Sequence, residues 1–67
     1  MTIKEKKKRL MGWTDLCGFD LVEKDQIESA KTNKDLEVVL SRHVTWLEDL
    51  LADAIGSVND IQKELKI

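Results

Sequence analysis

Nine residues in the second half of the chain, Leu36, Leu40, His43, Leu47, Leu51, Ala54, Val58, Ile61 and Leu65, follow one another at intervals of 4, 3, 4, 4, 3, 4, 3 and 4. An α-helix brings such positions onto one side. At about 100° per residue they form, with Leu50 and Ile55, a stripe roughly 140° wide. The pattern is a heptad seam carrying one four-residue insertion, a stutter that locally relaxes a left-handed supercoil. Proline is absent and glycine occurs three times, so few positions force a helix to stop. The sequence therefore predicts an all-α protein of two or three helices, with a long C-terminal amphipathic helix over 34–66. The expected architecture is a helical hairpin or a coiled-coil-like arrangement, oligomeric rather than monomeric.

Length sharpens that expectation. A helix from Lys34 to Lys66 would be about 50 Å long at roughly 1.5 Å per residue, whereas a compact chain of 67 residues has a radius of gyration near 11 Å. Such a helix must lie along the N-terminal helices, lie along a second chain, or break, with Gly56-Ser57 as the candidate break. A chain this short buries only about 60% of the surface its unfolded form exposes, and one core gives roughly 3–5 kcal/mol. The preceding residues include many charges and two glycines, which leaves too little apolar surface to cover the stripe. The nine stripe residues are thus expected to form the interface of a homodimer or higher oligomer.

The chain reads as one domain without repeats or linkers, divided into a basic helix or arm (1–12), short helical segments (13–32) and the long helix. Thr2-Ile3-Lys4-Glu5 fits a capping box, opening a first helix from Ile3 to Met11 with Gly12 as its stop. Between Trp13 and Val22 the signals conflict. Leu10, Trp13, Cys17 and Leu21 recur at helical spacing, yet Gly12 and Gly18 each cost about 1 kcal/mol inside a helix. Asp25-Gln26-Ile27-Glu28 offers a second capping box, and Thr32-Asn33 a turn from which Thr32 or Asn33 caps the next helix. Asp35 and Glu37 then place negative charge in its first turn, where the helix dipole favours it.

Charge is unevenly distributed. Residues 1–9 hold Lys4, Lys6, Lys7, Lys8 and Arg9 against Glu5, leaving six bases and twelve acids over residues 10–67. Lys6, Lys7, Lys8 and Arg9 are candidate phosphate contacts, but no aromatic residue interleaves them and the adjoining body is acidic, so nucleic acid is not the favoured partner. Asp49, Asp53, Asp60 and Glu64 form an acidic line near the face opposite the stripe, which reads as solvated surface. Trp13, Phe19 and Trp46 lie at the margin of the apolar pattern and are the candidate anchors for a protein partner.

Little points to catalysis. His43 sits among apolar seam positions, where a satisfied interface residue is the simplest reading, although a protonatable group there could also make association pH-dependent. Cys17 lacks an evident base, and Asp15 and Asp20 nearby disfavour a thiolate. One Cys and one His cannot complete a closed Cys/His zinc site, and no phosphate-binding loop, HExxH or calcium loop is present. No cofactor is expected. The longest apolar run is three residues against about 20 for a membrane span, and no secretory apolar region follows the basic start, so the expected location is cytoplasmic. The resulting expectation is a non-enzymatic interaction or regulatory module that self-associates and binds a macromolecular partner. Its size and economy resemble those of small phage- or plasmid-encoded helical regulators in architecture alone. The alternatives are a nucleic-acid-binding protein using the basic arm and an oligomerisation subunit of a larger assembly.

Overall fold

The computed structural model describes residues 1–67 apart from the side chain of Asp15. Five helical segments follow in order: α1 (Ile3–Gly12), α2 (Thr14–Cys17), α3 (Leu21–Ser29), α4 (Asn33–Asp49) and α5 (Ala54–Leu65), with no strand among the described residues. The all-α class holds, with more and shorter helices than two or three.

The largest departure is in the second half. The long helix over 34–66 does not form: it breaks across Leu50–Asp53, not at Gly56, and α5 folds back against α4. The break falls at the stutter. Two successive intervals of four, from His43 to Leu47 and from Leu47 to Leu51, are where a straight helix would carry the stripe off its face. A turn at that point lets both halves present their apolar sides to each other and to the first half of the chain. The radius of gyration is 10.7 Å and the longest dimension 31 Å, so no element outruns the core. Gly56 lies within α5 on its exposed side.

Helix starts are set by side chains. Thr2 and Glu5 form the reciprocal box at α1, and Thr32 does the same with Asp35 at α4, its Oγ1 accepting from the Asp35 N–H at 3.2 Å. The second box is formed by Asp20 and Glu23 rather than Asp25 and Glu28, so α3 begins five residues earlier than the latter pair implies. Asp35 also accepts the N–H groups of Lys31 and Thr32, and these bonds, that of Lys31 first, hold its carboxyl below the ordinary range. A carboxylate favoured by the fold contributes stability above its unfolded pKa of about 3.9, and that contribution fades as pH falls through the lower folded value. Thr32→Ala is expected to cost about 1 kcal/mol, measured as a lower urea midpoint with an unchanged slope.

Glycine resolves the ambiguous stretch. Gly12 is the last residue of α1, while Gly18 closes α2 at φ +72°, a left-handed conformation that other residues enter at a cost. The chain can therefore turn sharply twice within seven residues, which packs α2 against α5 and α1 against α3. The core comprises Leu10, Cys17, Phe19, Ile27, Ala30, Leu36, Val39, Leu40, Leu47, Val58, Ile61 and Leu65, with His43 as the one buried polar residue among those described. Among the described residues no helix is long and apolar enough to cross a membrane.

Candidate protein-docking surface

The nine residues expected at an oligomer interface separate into two groups. Leu36, Leu40, His43, Leu47, Val58, Ile61 and Leu65 are buried within the chain itself, and Ala54 is half-buried. These residues form the monomer's own core, because the turn after α4 supplies the covering surface that the sequence assigned to a second copy. Leu51 does the opposite: it is 91% exposed.

His43 organises the interior. Its Nε2 meets the backbone carbonyl of Cys17, and its Nδ1 lies 2.5 Å from Glu23 Oε2 without the alignment of a hydrogen bond. Phe19 packs at 4.7 Å between ring centroids on His43, and Trp46 stacks over it at 5.7 Å. Glu23 thereby serves twice, since its other oxygen accepts the Asp20 N–H that opens α3. The sole cysteine and sole histidine do come together, but through the Cys17 carbonyl rather than its thiol. Burial pushes that thiol up, away from a reactive thiolate. Asp20 caps α3, and the side chain of Asp15 lies outside the described residues. No cluster of His, Cys, Asp and Glu suited to a metal ion occurs among the described residues.

The basic arm is largely committed to the fold. Lys6 Nζ donates to Asn33 Oδ1 at 2.6 Å, and Lys7 Nζ donates to the Ala30 carbonyl at 3.0 Å and to that of Glu28. Lys7 thus satisfies carbonyls at the end of α3, where a cation also complements the helix dipole. Arg9 pairs with Glu64. Lys8 is exposed and makes no side-chain contact of this kind among the described residues. The acidic line is not continuous, because the turn at Leu50–Asp53 separates Asp49 from Asp60 and Glu64, and Glu64 is the partner of Arg9.

Of the three aromatic anchors, Phe19 is core at 6% exposed. Trp13 is half-buried, and Trp46 is 52% exposed with one face on His43. Trp46 lies one helical turn before Leu50 and Leu51, both exposed. The three apolar side chains belong to one corner, where α4 ends and the chain turns into α5.

That corner breaks three local rules at once. Leu51 N–H bonds to the Glu48 carbonyl at 3.2 Å and Ala52 N–H to the Leu47 carbonyl at 3.1 Å, the Schellman pattern in which the residue after the cap is left-handed. Here that residue is Leu51, at φ +53°. Leucine in this conformation costs roughly 1–2 kcal/mol, which glycine avoids. The side chain recovers nothing by packing, since it stands in solvent. Finally, Glu48 and Asp49 occupy the last turn of α4, which carries no base, so they face the negative end of the helix dipole. From His43 to Gln62 the chain has four carboxylates and no Lys or Arg. Sequence reasoning placed Leu51 on the seam because its spacing fits a continuous helix. The signal that could have found the corner is the stutter together with the exposed-looking triplet Leu50-Leu51-Ala52.

Comparison with protein-family models, curated proteins and solved structures finds no match for this chain.

Proposed function

We propose that the chain is a protein-docking module whose α4–α5 corner inserts Leu50 and Leu51, flanked by Trp46, into an apolar cleft with a basic rim on a partner protein. The observation that carries this reading is Leu51 itself, an apolar side chain held in a left-handed conformation and 91% exposed. Backbone strain that local packing does not repay is characteristic of ligand clamps and binding elements. A cationic, apolar partner would offset two of the three unfavourable features of the corner, by burying the leucines and by countering Glu48, Asp49 and Asp53, and so would repay the backbone strain at Leu51. The role is non-enzymatic and regulatory in kind. A free, buried Cys17 suits a reducing compartment such as the cytoplasm.

Trp46 is of a type enriched at binding hot spots, where truncation often costs about 2 kcal/mol or more, and the two leucines add apolar area worth about 1.5–3 kcal/mol each when fully buried. The test is capture from a lysate of the source cell on immobilised protein, with Leu51→Gly and Trp46→Ala in parallel. Removing Leu51 is expected to weaken retention of a specific protein at least about tenfold, with circular dichroism unchanged. Equal retention by wild type and Leu51→Gly would overturn the reading.

A further inference from the structure

We propose that, given the docking role of the corner, one partner it fits is a second copy of this chain, received in a groove on the outer face of α1. This open groove, about 580 Å³, is lined by Met1, Glu5, Lys8, Arg9, Gly12 and Trp13. Positions 5, 8, 9 and 12 lie along one side of α1, with Met1 before the helix and Trp13 at its far end. Its lining is mainly apolar, and Lys8 is the cation on its rim without an ion-pair partner among the described residues. Glu5, the one carboxylate there, is occupied by the capping box at Thr2.

Shape and charge are complementary between the two places. The corner projects two leucines ringed by Glu48, Asp49 and Asp53, and the groove offers an apolar floor with the unpaired Lys8 on its rim, Arg9 being held by Glu64. Gly12 leaves the floor open, since nothing stands within 4 Å of where a side chain would begin. The two sites cannot meet within one molecule. Lys6 fixes α1 to Asn33 at the start of α4, and the corner lies at its other end, about 25 Å away for a helix of 17 residues. Pairing is therefore between copies, either two-fold with each knob in the other's groove or head to tail as a ring or chain. The contact is small, so the association is weak and reversible, and salt weakens it further by screening the rim charges.

Sedimentation velocity at low salt, from about 10 µM to about 1 mM, reads this directly. Wild type is expected to show a rising sedimentation coefficient across the range. Leu51→Gly removes the more exposed leucine of the knob and Gly12→Gln fills the groove, and neither position has a packing contact to disturb. Each alone should remain monomeric, while an equal mixture should form dimers that grow no further, because it joins one intact knob to one intact groove. A monomeric wild type at about 1 mM, or a mixture that stays monomeric, would overturn the proposal. A dimer abolished by Leu51→Gly but untouched by Gly12→Gln would also overturn it, since the corner would then pair with something other than this groove. A monomeric wild type that still captures another protein through Leu51 refutes self-pairing alone and leaves the docking role standing.

Discussion

Leu40→Ala is expected to remove about 2–5 kcal/mol, a large share of the stability this chain has. Leu40 is fully buried near the middle of α4, in contact with a core that draws on every longer helix. Removing a buried leucine side chain costs about 2–5 kcal/mol, through lost transfer energy and the cavity left behind. Stability of roughly 0.05–0.15 kcal/mol per residue gives this chain only about 3–10 kcal/mol in total. Far-ultraviolet circular dichroism against urea should show the midpoint collapsing, and the loss should be independent of protein concentration. That independence separates the core role seen here from the interface role that the heptad spacing suggests. An interface leucine would instead give a folded chain whose stability rises with concentration.

His43→Ala is the second large effect, at about 3 kcal/mol. The substitution deletes the donor to the Cys17 carbonyl, leaves Glu23 facing a void, and removes the ring between Phe19 and Trp46. Losing one partner of a buried polar contact costs more than the contact itself contributes, because the other partner stays desolvated. Glu23 retains some solvent access at 16% of its side chain, which moderates the cost. Glu23→Gln should be milder, since the amide oxygen still accepts from the Asp20 N–H. Trp46 fluorescence reports the change, its ring losing the imidazole beneath it. A loss under about 1 kcal/mol for His43→Ala would show that the ring is not the organising element described here.

Local chemistry was legible where side chains act on their own neighbours in sequence. The Thr2–Glu5 and Thr32–Asp35 boxes appear as read, because a capping box needs only four residues and a fixed spacing. The α3 start was missed because two acidic tetrads compete, and the choice between them depends on His43, which draws Glu23 into the core from 20 residues away. The long helix was misread for a related reason. Heptad spacing says which side of a helix is apolar but not what covers it, and a fold-back at Leu50–Asp53 satisfies the same nine positions as a second chain does. Lys6 and Lys7 look like a phosphate-binding run in one dimension and become cross-links only when α3 and α4 arrive beside them. Phe19 looks marginal in the sequence for the same reason: its ring packs on His43, which is not periodic with it. What remains unburied after folding is the informative residue set, and Leu51 and Trp46 could be sorted from Phe19 only by the tertiary packing.

The most direct measurement of the docking role is Leu51→Gly compared with wild type, for thermal stability and partner retention on the same preparations. Glycine relieves the left-handed strain and gives up only a solvated side chain, while loosening the unfolded chain somewhat, for a net gain of roughly 0.5–1 kcal/mol. For a chain of this size that raises the midpoint by about 4–7 °C. The predicted result is a more stable protein that has lost its partner. A variant that is more stable and still retains the partner fully would contradict the account, because Leu51 would then be strain without a use.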